Sequence, residues 1–292
     1  MSDDEIKLVI TTGVRHNEMH YIEEYVNFYK KQDVRHIYIW AFCTDPEFRD
    51  IEIDKKIKEY IERFNNEFVT IEKCTINAFC ATRNFCKHRT KHENDWLAWL
   101  DIDEFMYSPI KDKTITDIIK LYEEKQVYAV QVNWRNFGSN GHVESPESVL
   151  EAYTKCYDTT TTKGLIKIKA MDVGAILKGV TCVHVVKPLP TYNGVPVYHH
   201  TSTGKKVATH NTSVAGNGRV HPNYTNKNPL HVAPEEEPWL RINHYIIKSV
   251  NCFKIKVRNI IDEGHRERYS FGRFHHYNNI CNKEDTTILS KI

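Results

Sequence analysis

The feature that most constrains this chain is the alternation of two hydrophobic periods along its first half. IKLVITT from Ile6, RHIYIWAF and EFVTIEKC are short apolar runs of strand type. Between them, MHYIEEYVNFYKK and IDKKIKEYIERF carry apolar residues at helical spacing, as at Tyr21, Ile22, Tyr25 and Val26. The same alternation continues with a helix at AFCATRNFCKHRTKH, a strand at WLAWLDID, a helix at TITDIIKLYEEK and a strand at VYAVQVNW. Strands separated by helices are joined by crossovers rather than hairpins, which makes them parallel and covers both faces of the sheet. The pattern predicts an α/β fold with a mainly parallel central sheet flanked by helices. In such sheets ligands bind outside the carboxyl ends of the strands.

Composition sets the scale. With 292 residues, 40% hydrophobic and 27% charged, the chain has enough apolar material for one large domain with an addition, and is unlike a disordered, collagen-like or coiled-coil sequence. Forty Lys+Arg against 38 Asp+Glu leave a net charge of +2, so no nucleic-acid partner is expected. The start, MSDDEIKLVITT, is acidic where a signal peptide is basic, and no apolar run approaches the roughly 18 residues of a membrane span, so a cytoplasmic location is expected. The eight cysteines show no CxxC pair and are read as reduced; the sequons at Asn211 and Asn223 then stay silent. Seven of the ten prolines lie between Pro188 and Pro238. This divides the chain into an α/β core at 1–187, a loop-rich segment at 188–238 on the acceptor side or serving as a lid, and a helical segment at 239–292 that completes the site. The sequence assigns no oligomeric state.

Three clusters carry chemistry. In WLAWLDIDEF, residues 96 to 105, an apolar strand ends in Asp101, Ile102, Asp103 and Glu104. Strand alternation would point Asp101 and Asp103 the same way and turn Ile102 into the core. Paired carboxylates suit Mg²⁺ or Mn²⁺, which take oxygen ligands and share their remaining positions with phosphates; a solvated acidic turn is the plainer alternative. In RINHYIIKS, taken as the start of the late helix, His244 and Lys248 are four apart and share a helical face. Gly13 to Glu18 after the first strand offers backbone amides and the Arg15 guanidinium to a diphosphate, without a GxGxxG or GxxxxGK[ST] signature.

The series VRHNEMHYIEEYVNFYKKQDVRHIYIW, WLAWLDIDEF, WRNFGSNGH and LRINHYIIKS, in that order, resembles the family 92 glycosyltransferases, and is similar to the small sugar transferases of large algal viruses. The resemblance implies a GT-A, Rossmann-like fold, a nucleotide sugar donor, a glycan acceptor, Mn²⁺ or Mg²⁺, and transfer with inversion. It implies that Asp101 and Asp103 serve the metal and the donor ribose, that His244 is a later metal ligand, and that Arg15 and Lys248 face the diphosphate. Thr11, Thr12, Gly13 and Val14 would lie beside the base, with Ile102 in the donor-binding set. Trp134, in the aromatic and glycine-rich stretch 134–141, offers a face to a sugar ring or else caps the core. Arg83, Asn84 and Lys87 reach toward the donor or form a solvated helix face. An inverting reaction needs a base, and the acids downstream of the DxD strand are Asp172, Asp158 and Glu144. Glu18 and Glu24 are assigned to structure.

The expected activity is transfer of xylose, galactose or glucose from a UDP-sugar to a hydroxyl. Two other classes compete. A sugar-1-phosphate nucleotidyltransferase also pairs carboxylates with a metal, but it needs more glycine than GVRHNE contains. A zinc hydrolase or a metal-binding, non-catalytic sugar-binding module is suggested by 16 histidines, including His199-His200 and His275-His276, yet no HExxH spacing is present.

Overall fold

The computed structural model describes residues 5–42, 51–74, 84–177, 188–207, 232–262 and 270–292. The chain opens with strand β1 (Leu8–Arg15), a 3₁₀ turn at His16–Tyr21 and helix α1 (Ile22–Lys31), then β2 (His36–Phe42), α2 (Ile51–Phe64) and β3 (Val69–Lys73). A 3₁₀ turn at Arg89–His92 precedes β4 (Trp96–Trp99), β5 (Glu104–Tyr107), α3 (Ile115–Glu124) and β6 (Ala129–Phe137). Next come α4 (Val149–Ala152), β7 (Lys155–Lys167), α5 (Val173–Leu177), and the two-residue strands β8 (Thr191–Tyr192), β9 (Val195–Pro196) and β10 (His199–His200). The last elements are β11 (Arg241–His244), α6 (Val250–Asp262), α7 (Phe271–Ile280) and β12 (Lys283–Glu284).

The main sheet runs β3-β2-β1-β4-β7-β6-β11-β5, with β10 beside β6 and β12 beside β7. The first four strands are parallel, as the strand–helix alternation requires. Beyond them the parallel expectation fails, because β7 is antiparallel to both β4 and β6, and β5 is antiparallel to β11. The physical reason is that the second half of the chain lacks regular crossover helices, so long strands return beside their predecessors directly. The fold is mixed α/β. Its sheet is also curled: β4 and β5 are joined by residues 100–103, which reach at most about 17 Å, whereas four strand spacings across a flat sheet come to about 19 Å.

Alternation builds the two sides of the core. Leu8 and Ile10, Ile37 and Ile39, and Trp96 and Ala98 enter one cluster with Tyr25, Phe28, Tyr29, Phe105 and Ile118 from α1, β5 and α3. Val9, Tyr38, Trp40, Leu97 and Trp99 point the other way and pack with Phe85, Ile166, Met171 and Ile176. Both faces are covered, which is why these strands read as continuous apolar runs. Among the described residues Cys74, Cys86, Cys156, Cys252 and Cys281 are outside any disulfide, and no helix is long and apolar enough to cross a membrane.

Candidate active site

Directions in the sheet decide where chemistry can collect. β6 and β11 are parallel to each other, and both run antiparallel to β7 or to β5, so β1, β4, β6 and β11 all end on one edge. Arg15, the residues after Trp99, Asn136 and His244 therefore meet there although they are far apart in sequence.

The acidic motif is a turn, not a strand end. β4 stops at Trp99, and the Glu104 amide donates to the Asp101 carbonyl (2.9 Å), closing Asp101–Glu104 into a β-turn. The two aspartates consequently part ways. Asp101 keeps a side chain 44% exposed and accepts from Lys163 Nζ at 2.9 Å, while Asp103 is buried on the opposite partner set. Ile102 is buried in the main core cluster, as strand reasoning expected of its side chain.

Asp103 stands at the centre. Its Oδ2 accepts from Lys248 Nζ and from Lys256 Nζ, each at 3.2 Å, and its Oδ1 lies 3.8 Å from His244 Nε2. His244 is not on a helix: it is the last residue of β11, and α6 begins only at Val250. Lys248 reaches Asp103 because its own backbone is left-handed (φ 51°), turning the chain between strand and helix. That conformation costs a non-glycine residue about 1 kcal/mol or more and is held only where the surroundings dictate it. Burial depresses the His244 imidazole to about 3, with Asp103 opposing, so it is neutral at physiological pH. Its Nδ1 lies 3.0 Å from Asn136 Oδ1, and the Asn136 amide nitrogen donates to the Tyr157 hydroxyl (2.8 Å), which orients that amide. A neutral ring that donates from Nδ1 presents a lone pair at Nε2. Trp134 packs its ring on His244, centroids 4.3 Å apart. For Asp103, burial raises the carboxyl, but the two ammoniums outweigh it and hold it well below the usual range.

A second ionic group lies alongside. Lys163 on β7, fully buried, bonds Asp101 and Glu104, each at 2.9 Å, and Glu104 also accepts from the Asp101 amide (2.8 Å). Burial pushes Glu104 up to about 8, against the pull of Lys163. For Asp101, burial raises the carboxyl and the Lys163 charge overcomes it, so the net direction is down.

Next to Asp103 opens a small cleft, lined by Asn17, Glu18, Tyr21, Ser145, Lys248 and Lys256 among others. The family model of glycosyltransferase family 92 matches residues 12–291, a span that contains every one of these groups. The chain belongs to glycosyltransferase family 92. A comparison with curated proteins finds no match.

In this glycosyltransferase the predicted residues separate into those that converge and those that do not. Asp103, His244 and Lys248 meet; Asp101 is adjacent but is paired with Lys163, so the predicted three-ligand set is not assembled. Among the described residues no three His, Cys, Asp or Glu side chains converge on a metal position, and the doublets His199-His200 and His275-His276 form none. Thr11, Thr12 and Val14 are buried, with Thr11 accepting from Trp40 Nε1 at 2.8 Å, so at the β1 end only Gly13 and Arg15 are partly open. Arg15 pairs with Glu18 at 3.6 Å. Lys87 is exposed, and Arg83 lies outside the described residues. Asp158 is committed to Arg135 and Lys283. Asp172 follows the end of β7 that pairs with the start of β4, at the far edge from the turn. Glu144 accepts from Asn251 Nδ2 (2.8 Å) next to cleft residue Ser145. Two cleft groups escaped sequence reasoning: Glu18, assigned to structure, lines the cleft, and Lys256 on α6 was not singled out. Nor was Lys163, buried behind the turn on Asp101 and Glu104.

Proposed function

We propose that this family 92 enzyme is a metal-dependent, inverting transferase of GT-A type that moves a sugar from a UDP-linked donor to a hydroxyl of a glycan acceptor. One observation carries the reading: two lone-pair donors, Asp103 Oδ1 and His244 Nε2, face each other at 3.8 Å, too far apart for a hydrogen bond between them. A divalent ion taken up between them would draw the two donors together, since neighbouring ligands of a hard cation at about 2.0–2.2 Å stand about 3 Å apart. The hydrogen bond at Nδ1 is the kind of support that metal-bound imidazoles have. Asp103 and His244 would hold the ion, phosphate oxygens and water would complete its shell, and when bound it would supply positive charge against the leaving diphosphate.

The protein's own groups do the remainder. Lys248 sits where its ammonium can share the charge that develops on the diphosphate. Lys163 fixes Asp101, whose exposed oxygen is free to accept from a ribose hydroxyl. Trp134 backs the imidazole and keeps its plane fixed. The acceptor hydroxyl loses its proton to a carboxylate at the cleft, and of the three predicted bases only Glu144 adjoins it; Glu18 lines it directly. These positions support an in-line displacement in a partly enclosed cleft.

The test is a transfer and donor-hydrolysis screen over UDP- and GDP-sugars, after EDTA treatment and again with Mn²⁺ restored. Turnover of a UDP-sugar only with Mn²⁺, and a loss of about 100-fold or more in Asp103→Asn, is the expected result. Full activity in EDTA, or in Asp103→Asn, rejects the reading.

A further inference from the structure

Asp103 is held by more positive charge than its own carboxylate requires. Lys248 and Lys256 both donate to the same oxygen, Oδ2, and Lys256 also donates to the Ile246 carbonyl at 2.8 Å. Both lysines line the cleft. Beside them Lys163 bridges Asp101 and Glu104, so Asp103 is the carboxylate that Lys248 and Lys256 share. A dication added there meets two ammoniums already seated on its main carboxylate ligand. A diphosphate added at the same time relieves this, because it offers the lysines a stronger acceptor on the cleft side.

We infer that Lys256 is a second anion-binding residue of the donor site: in the free enzyme it joins Lys248 in occupying Asp103, and on donor binding it turns to the diphosphate, so that metal and nucleotide bind in mutual dependence. This rests on the donor-site reading above and adds to it a residue and a coupling between the two ligands. Lys256 is suited to the exchange. It stands on the second turn of α6, half-buried, and a four-carbon stem lets its ammonium swing between Asp103 Oδ2 and the cleft with little backbone change. By linkage, whatever a diphosphate gains from drawing the ammonium away returns as tighter metal binding, and the reverse.

The experiment is calorimetric titration of MnCl₂ into the full chain, with and without saturating UDP, together with UDP titrations in EDTA. The wild type is compared with Lys256→Met and Lys256→Arg, and with Asp103→Asn. The expected results are that Lys256→Met binds Mn²⁺ alone at least about fivefold tighter than the wild type, binds UDP in EDTA at least about fivefold more weakly, and loses that much of the coupling, a size typical of linked sites. Lys256→Arg keeps the wild-type pattern. If Lys256→Met leaves Mn²⁺ affinity unchanged or weakened while Asp103→Asn abolishes it, the proposal for Lys256 is overturned and the donor-site reading stands. If Asp103→Asn binds Mn²⁺ with UDP as the wild type does, the donor-site reading itself fails. Lys256→Gln repeats the comparison should the methionine variant not fold.

Discussion

At the scale of single residues, the burial of charge decides what each group can do. Glu18→Gln and Glu144→Gln separate the two cleft acids: the one that serves as base loses about 10²–10⁴-fold in kcat while the donor KM is held. Asp158→Asn and Asp172→Asn leave kcat near the wild-type value, since one is committed to Arg135 and the other lies at the far edge of the sheet. A second residue-scale prediction concerns acid. His36 is 9% exposed, bonds the Glu67 carbonyl and Thr70, and is depressed by burial to about 4. The unfolded chain takes up a proton near pH 6.5 that the folded one refuses, so this contribution to stability is complete above that pH and is lost as pH falls toward 4. Its size is about 2–3 kcal/mol. Thermal melts between pH 7 and pH 4.5 check it, and His36→Gln should flatten the dependence. Asp103, His244 and Lys248 were legible as chemistry in the sequence because their residue types have few purely structural uses in apolar surroundings. Lys163 and Lys256 were not, because a lysine in a polar-apolar alternation reads as solvated until its partner is known.

At the scale of elements, local signals were read correctly where they were self-contained. Helix α3 carries a complete capping box, with the Thr114 hydroxyl accepting from the Asp117 amide and Asp117 accepting from the Thr114 amide. Thr114→Ala is expected to cost about 1 kcal/mol in urea denaturation. The glycine-rich turn after β6 is a packing device: a Cβ on Gly138 would stand 2.9 Å from Cys281 Cβ, at the end of α7. Gly138→Ala should therefore cost about 1–3 kcal/mol, read from the same denaturation curves. Glu24 caps α4 from a distance, accepting from Ser148 Oγ and from the Val149 and Leu150 amides, which confirms a structural part for that acid. The stretch from Arg241 to Ser249 went wrong as a helix because RINHYIIK has apolar residues compatible with either period; pairing with β5 and β6 made its first four residues a strand.

At the scale of the whole molecule, the C-terminal residues are fastened to the sheet beside the site. Arg135, next to the Asn136 that orients His244, bonds Asp158 and buried Asp285, and Ile288 enters the core. Arg135→Met leaves Asp285 buried without its main partner and is expected to cost about 3–5 kcal/mol. A urea midpoint shift of that size with an unchanged slope would confirm it. What the amino-acid order determined by itself was the parallel half of the sheet, the segments that carry the candidate site and the family. Those follow from periodicity and from motifs that are local in the chain. What only the tertiary structure decided was the mixed half of the sheet, the parting of Asp101 from Asp103, and the two lysines on one carboxylate oxygen. Each of these depends on which strand ends share an edge and on which charge finds which partner. Pairings between residues 60 to 150 positions apart leave no period in the sequence to read.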